Sequence, residues 1–197
     1  MKNYLPSQVI AAYNPTLQAG VMAAFPTILE ANHAENVPKI RDLSGAYDDG
    51  VAVGWVKNQL LQVNEFSGVK SKLSDMQLQE LSIQICLEYG SLNLFEFILF
   101  CARLRSGKYE DFYGSVDPMR ILKSLGSFYS ERRAEISREL EAIEKEERER
   151  EDLEHSKICV SFEAWYMSKS EEEKADLRSS PYFGHLTKGL DSLSNPP

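Results

Sequence analysis

The sequence predicts a mainly α-helical protein, in which a compact multi-helix domain continues into a long charged C-terminal helix and a short helical tail. From Val51 to Ile143, apolar residues recur at spacings of three and four, which is the period of one helix face. No stretch alternates apolar and polar residues as a half-buried strand does. Residues that start and stop helices fall between the apolar runs. These observations together favour helices throughout.

The totals fit one soluble domain with extensions. The chain has 197 residues, of which 43% are hydrophobic, and a formal net charge of −8. An acidic chain is not suited to coating nucleic acid, although a local basic patch is compatible with that charge. Cys86, Cys101 and Cys159 lack metal-ligand spacing and are expected to be buried, reduced thiols. No apolar run has the length of a signal peptide or a membrane span. We therefore expect a cytoplasmic protein that needs no cofactor and has no membrane partner.

Residues 1–47 are weakly patterned and are predicted to form a loosely ordered helical arm. Proline recurs every nine to twelve residues between Pro6 and Pro38, so one long helix does not fit without a break. Alanines are frequent and β-branched residues few, which favours short helical pieces over strands.

The core domain is predicted over residues 48–138. It begins with a helix over about 51–64 and continues with a second helix that Ser74 caps. Apolar residues cover more than one face of this second helix, which predicts a central position in the fold. Asn93 then caps the most apolar helix of the chain, which runs to about residue 105.

A loop over residues 106–118, which we call the elbow, joins this apolar helix to the longest helical pattern. Gly107 is a helix-stop residue, because glycine alone takes a positive φ without cost. Asp117 and Pro118 form a helix-start pair. Because a short elbow makes the two helices neighbours, their apolar side chains are predicted to form one core: Phe97, Phe100, Ile121, Leu125 and Phe128.

The C-terminal part divides into a charged helical extension over residues 139–155 and a tail over 156–197. The segment from Glu139 to Glu154 contains nine acidic residues and only three basic ones. In the tail, Phe162, Trp165 and Tyr166 share one side of a short helix. Two interpretations are open: these aromatics are anchors for a partner's groove, or they fold back as intramolecular core.

Charge distribution indicates one candidate contact surface. From Cys101 to Arg138, eight basic and five acidic residues give a net charge of +3, in a chain that is otherwise acidic. Basic residues interleaved with aromatics are typical of surfaces that contact phosphates or a macromolecular partner. The predicted contact residues are Arg103, Arg105, Lys108, Tyr109, Phe112, Tyr113, Arg120 and Lys123. The alternative interpretation is that the arginines solvate outer helix faces while the aromatics belong to the core.

No motif for catalysis is apparent. His33, His155 and His185 stand alone on polar segments, and the sequence lacks the phosphate-binding, nucleophile and zinc signatures of common enzymes. We therefore expect no catalytic residues and no metal site. An enzyme whose site is assembled from scattered residues is the third and weakest hypothesis.

Four stretches resemble a poorly characterised family of small helical proteins found in anaerobic gut bacteria, their prophages and mobile elements. The resemblance is densest over about 50–138, and Glu110 stands where the family pattern has glycine. The stretches are Leu81-x-x-x-Ile85-x-x-x-Tyr89, Leu92-Asn-Leu-Phe-Glu96-Phe-Ile-Leu-Phe100-x-x-Arg103-x-Arg-Ser-Gly107-Lys-Tyr109, Phe112-Tyr-Gly114-Ser-Val-Asp117-Pro-Met-Arg120 and Leu125-x-x-Phe128-x-x-Glu131-Arg132.

The resemblance implies an accessory role in replication or another DNA transaction. Our leading hypothesis is a non-catalytic accessory protein of a phage or mobile element that binds a protein partner, in the manner of a helicase loader. The alternative is direct binding of DNA or RNA through the basic and aromatic residues of the elbow region.

Overall fold

The structure, a computed structural model, describes residues 5–109, 112, 114–158 and 161–187, and for 157 and 158 the backbone alone. A 3-10 turn, Pro15–Leu17, joins the first two helices. The helices are α1 (Pro6–Ala12), α2 (Gln18–Ala24), α3 (Ile28–Asn32), α4 (Ile40–Ala46), α5 (Asp49–Phe66), α6 (Asp75–Tyr89), α7 (Leu94–Arg105), α8 (Pro118–Ile158), α9 (Phe162–Met167), α10 (Glu171–Ser179) and α11 (Gly184–Thr187).

The prediction of a mainly α fold is confirmed, and so are the main helix starts. Side chains of Asp48, Ser74 and Asn93 accept hydrogen bonds from the first turns of α5, α6 and α7. Each cap satisfies a backbone N–H that the helix itself leaves free. Gly107 takes a φ of +76° just past the end of α7, as its helix-stop role requires.

Helix α7 is the centre of the fold. It packs against α2, α3 and α5, and ten of its twelve residues are buried. The predicted core between α7 and α8 is confirmed: Phe97, Phe100, Ile121, Leu125 and Phe128 are at most 1% exposed and belong to one cluster. The rings of Phe100 and Phe128 meet edge to face at 5.7 Å.

The N-terminal residues differ from the loosely ordered arm that the sequence predicts. Val21, Ile28 and Leu43 are buried in the same cluster as α7. The prolines do not interrupt long helices here; Pro6 and Pro15 begin short ones, where proline loses no hydrogen bond. Helices of five to seven residues are marginal alone, and packing on the central helices stabilises them.

Backbone pairing between two connections fixes α4 against the start of α7. The Ile40 N–H donates to the Leu92 carbonyl at 2.9 Å, and the Leu94 N–H donates to the Pro38 carbonyl at 3.0 Å. The Arg41 N–H donates to the Gly90 carbonyl at 3.0 Å. A Cβ at Gly90 would lie 2.7 Å from the Cys86 carbonyl oxygen in the last turn of α6 and 3.4 Å from Arg41 Cβ of the opposite segment, so glycine suits this position.

The central position predicted for α6 is wrong. Its inner face, with Leu78, Leu81 and Ile85, is buried, but Met76 and Leu87 are 69% and 81% exposed. Helix α6 packs against α4 and α5 on one side of the domain. The apolar residues that suggest two buried faces therefore include an outward-facing row.

Contacts divide the chain into two compact units, residues 1–139 and 140–197, and the boundary falls inside α8. In the first unit, Cys101 is buried and Cys86 is half-buried, while Cys159 lies outside the described residues. In the second unit, α10 packs against α11. Its charged helical segment carries i, i+4 ion pairs such as Arg148 with Glu144.

Candidate functional site

The last turn of α7 directs the first two predicted contact residues, Arg103 and Arg105, toward other segments of the domain. Arg103 is 8% exposed, and its Nη2 donates to the Pro26 carbonyl at 2.8 Å. The Nη1 of Arg105 donates to Oε1 of the buried Gln18 at 2.9 Å, and its guanidinium lies 4.2 Å from the Phe66 ring centroid. A role in contacting a partner does not fit this placement, because Arg103 ties α7 to the connection between α2 and α3, and Arg105 ties it to α2 itself.

Lys108 and Tyr109 form a second structural cluster with Glu131. The Lys108 Nζ lies 2.8 Å from Glu131 Oε2, and the Arg103 Nη1 lies 3.8 Å from the same oxygen. Among the described residues, the buried hydroxyl of Tyr109 has no partner in hydrogen-bond geometry, although the Arg103 guanidinium is close enough to lower its pKa. Burial and the Glu131 carboxylate raise the pKa of Tyr109 to about 12, which the Arg103 guanidinium only partly offsets.

The remaining predicted contact residues that the structure describes divide between core and surface. Phe112 packs against the core, and Tyr113 lies outside the described residues. Arg120 and Lys123, on the first turns of α8, line an open groove. The structure therefore does not bring the eight predicted residues into one basic surface; it places Arg120 and Lys123 together.

This groove, the α6–α8 groove, runs between the C-terminal half of α6 and the start of α8. Its volume is about 1020 Å³, and it is open to solvent. Charges of both signs line it, with Arg120 and Lys123 against Glu88 and Glu131. Met119, which is 69% exposed, adds an apolar side chain to the lining. An open groove with apolar and mixed-charge walls suits a protein segment.

A second groove lies on the other side of α6 and is named the α5–α6 groove. Its volume is about 400 Å³, and Val53, Ile83 and Leu87 give it an apolar lining. The thiol of Cys86 also lines it, and burial together with the Asp49 carboxylate raises the pKa of Cys86 to about 11. That thiol is therefore protonated and a poor nucleophile at neutral pH.

Sequence reasoning missed the outward face of α6 as a surface. Met76, Ile83 and Leu87 follow one another at seven and four residues, which places them on one line along the helix. Leu78, Leu81 and Ile85 form a separate line at three and four residues, and this line is buried. The sequence therefore shows two distinct apolar lines on α6, and this pattern could have indicated that one of them faces solvent.

The polar network around Glu96 was also missed. Glu96 is fully buried, and its Oε1 accepts hydrogen bonds from Arg132 Nε at 2.6 Å and Asn32 Nδ2 at 2.9 Å. Its Oε2 accepts from the Asn93 N–H at 2.7 Å, which completes the capping box of α7. With every oxygen satisfied inside the core, this carboxylate joins three segments and has a structural role.

In the tail, the three predicted aromatics pack among themselves. The Phe162 ring lies 5.6 Å from Trp165 and 6.2 Å from both Tyr166 and Phe183. Tyr166 is buried, and its hydroxyl accepts a hydrogen bond from Arg178 Nε at 2.9 Å. Trp165 keeps 36% of its surface exposed. Tyr166 is thus the internal residue of a small cluster within the tail.

Two kinds of feature are absent from the described part of the chain. There, no group of three or more His, Cys, Asp and Glu side chains is placed to hold a metal ion. Within the same ranges, no helix combines the length and apolar composition needed to cross a membrane.

The fold and these grooves define an all-α protein with two open surfaces beside one helix. The chain belongs to the Family of unknown function (DUF6633), whose family model matches residues 72–174. The matched range spans α6, α7 and the whole of α8, so it includes a wall of each groove. Comparison with curated proteins and with solved structures gives no match. The predicted membership of a poorly characterised family is confirmed at this level.

Proposed function

We propose that this protein is a non-catalytic accessory protein that binds a partner protein through the α6–α8 groove. The observation that carries the proposal is the groove itself, about 1020 Å³ in volume and open between two helices. The exposed Met119 lies in its lining. Amphipathic helices are recognised in grooves of this kind, and a flexible thioether adapts to the side chains that enter.

The charges of the groove favour a protein segment over nucleic acid. A phosphate backbone would meet the carboxylates of Glu88 and Glu131 as well as Arg120 and Lys123. Glu88 repels phosphate, and the Lys108 ion pair offsets only part of the Glu131 charge. A helix of mixed charge can place acids beside the two basic residues and still avoid both carboxylates. The inward placement of Arg103 further reduces the positive charge offered to a phosphate backbone.

The proposed setting is a phage or mobile element of anaerobic gut bacteria, in whose cytoplasm the protein assists a replication enzyme as a helicase loader does. The support for this setting is the resemblance over the α6, α7 and elbow residues. A loader acts by holding another protein, which agrees with a groove suited to a helix.

A steric block tests the groove without removing any native side chain. Gly126 lies on the groove wall, and the nearest atom to a Cβ built there is the Tyr89 hydroxyl oxygen at 3.6 Å. Gly126→Phe is therefore expected to fold and to fill the groove. Gly20→Phe is the matched control, because Gly20 is also helical and has no atom within 4 Å of a built Cβ.

The tagged protein would be used for affinity capture with mass spectrometry, at low and moderate salt and after nuclease treatment. A captured protein is then purified and its Kd measured. Gly126→Phe should weaken that Kd at least tenfold, while Gly20→Phe leaves it unchanged. Equal binding by the wild type and Gly126→Phe would reject the α6–α8 groove as the binding site.

Labelled single- and double-stranded oligonucleotides test the alternative. If nucleic acid binds at Arg120 and Lys123, affinity falls steeply with salt because counterions are released on binding. The Arg120→Glu/Lys123→Glu variant would then lose that binding. Salt-sensitive binding lost in this variant, with no protein partner captured, would favour nucleic acid and overturn the proposal.

A further inference from the structure

The α5–α6 groove has a lining that selects its occupant by chemistry. Val53, Ile83 and Leu87 make its apolar surface, and Ser44 and Gln79 add neutral polar groups. Asp49 is the charged member of the lining, and among the described residues its carboxylate has no hydrogen bond or ion pair. An apolar pocket with one available carboxylate fits an apolar side chain next to a basic one.

The outer line of α6 continues from this groove as a strip of exposed side chains, which are apolar except for Glu80 between Met76 and Ile83. Met76, Ile83 and Leu87 lie on that line, and Leu87 is 81% exposed. Residues 76 to 87 span about 16 Å along the helix, or about three turns of a partner helix. Ile83 and Leu87 lie one turn apart beside the groove and are both exposed, and neighbouring exposed apolar side chains, unlike scattered ones, mark an interaction surface.

Charges around the strip are mainly negative. Glu80 is exposed on the same side of α6, and the Asp49 carboxylate adds to the burial that raises the pKa of the Cys86 thiol. The neighbouring Lys57 is engaged in an ion pair with Asp75 at 2.8 Å. Arg41 lies beside Gly90, beyond the end of the strip, and does not line the groove.

We infer that the α5–α6 groove and the outer line of α6 bind a basic amphipathic helix of another protein. The apolar face of that helix would cover Ile83 and Leu87, and a lysine or arginine at its edge would meet Asp49. This surface is separate from the α6–α8 groove, so either surface can fail its test without affecting the other.

Three synthetic 18-residue peptides probe the surface by fluorescence anisotropy with the full chain. The first has leucine at i, i+3, i+4 and i+7 with lysine on both flanks. The second replaces lysine by glutamate. The third has the composition of the first with the leucines redistributed around the helix, which controls for general attraction to a chain of charge −8.

The first peptide should bind at least tenfold more tightly than the other two. Leu87→Gln and Asp49→Asn should each weaken it at least fivefold, and both positions are exposed enough to accept the change. Two matched controls should leave the Kd unchanged: Met22→Gln, an exposed apolar residue of α2 outside both grooves, and Glu146→Gln, an exposed acid of α8.

Four results would overturn the inference. They are absent binding of the first peptide, equal binding of the first and third, preference for the glutamate peptide, and equal effects of Asp49→Asn and Glu146→Gln. Sedimentation of the peptide-free protein tests a second copy as the occupant. A concentration-dependent dimer that Leu87→Gln dissociates would show that the strip is a self-association surface instead.

Discussion

The Nε of Arg132 lies 2.6 Å from Oε1 of Glu96, a carboxylate with no exposure to solvent. This ion pair joins the middle of α8 to the first turn of α7. Because Asn32 donates to the same oxygen, α3 is held at the same point. A charged pair at this depth is costly to bury, and it persists because each oxygen of the carboxylate is satisfied.

Arg132→Met should destabilise the protein by about 3–5 kcal/mol, because it leaves the Glu96 carboxylate buried without its ion-pair partner. Arg133→Met, at the exposed neighbouring position, should change the free energy of unfolding by less than about 0.5 kcal/mol. Adding Glu96→Gln to Arg132→Met should recover part of the loss, since glutamine still caps α7. Urea unfolding measures the free energy of unfolding of all three variants. An unchanged value for Arg132→Met would contradict the structural role of the Glu96–Arg132 ion pair.

Leu125→Ala should cost about 2–5 kcal/mol, because Leu125 is fully buried between α7 and α8 and its truncation leaves a cavity. Leu140→Ala on the same helix is the control, since Leu140 is exposed. Thermal unfolding followed by circular dichroism compares the two. An unchanged midpoint for Leu125→Ala would refute the core assignment.

Tyr109→Phe should alter the alkaline stability of the protein. The pKa of Tyr109 rises from its ordinary 10 to about 12 on folding, so the folded state holds this proton more tightly than the unfolded chain. Below pH 10 the wild type therefore keeps the full free energy of unfolding that goes with a protonated Tyr109. That free energy falls as the pH rises from 10 to 12, because the unfolded chain releases the proton first. The variant lacks that loss.

At pH 7, Tyr109→Phe should leave stability unchanged or raise it by up to about 1 kcal/mol, because it removes a buried hydroxyl to which the described residues give no hydrogen bond. Urea midpoints of both proteins between pH 7 and 12 check the prediction. Parallel curves across the alkaline range would show that Tyr109 does not titrate differently in the folded state.

Tyr166→Ala should open the tail cluster, because its ring packs on Phe162 and its hydroxyl accepts from Arg178. Proteolytic cleavage within residues 161–187 should accelerate, and Trp165 emission should move to longer wavelength. Trp55 is buried in the first unit and gives a constant background. Tyr166→Phe, which keeps the ring, should cost only about 0.5–1.5 kcal/mol. Unchanged cleavage of Tyr166→Ala would show that the cluster does not order the tail.

Helix α7 could be predicted in detail because local and global signals agree there. Its interior is almost wholly apolar, Asn93 caps it and Gly107 ends it. The same holds for the start of α8, where the Asp117 side chain accepts from the Met119 N–H at 2.8 Å. Such signals are contained within a few residues, so they can be recognised from the sequence.

Other features depend on contacts between distant segments and could not be predicted. The Gln18 side chain donates a hydrogen bond to Gln59, which is 41 residues away in the sequence. Asn32 donates one to Glu96 over a separation of 64 residues. Composition likewise does not show which way a charged side chain turns at a helix end. Arg103 looks like a surface cation by spacing, yet it finds a carbonyl acceptor 77 residues away.

The pairing of residues 38–41 with 90–94 affects hydrogen exchange. The Ile40, Arg41 and Leu94 amides belong to connections and first turns, which ordinarily exchange early. Here each donates to a carbonyl of the opposite segment, and both ends of the pairing adjoin buried helices. These amides can exchange with solvent only when α4 and the start of α7 separate. The two segments should therefore form one cooperative opening unit, with protection close to that of the core helices.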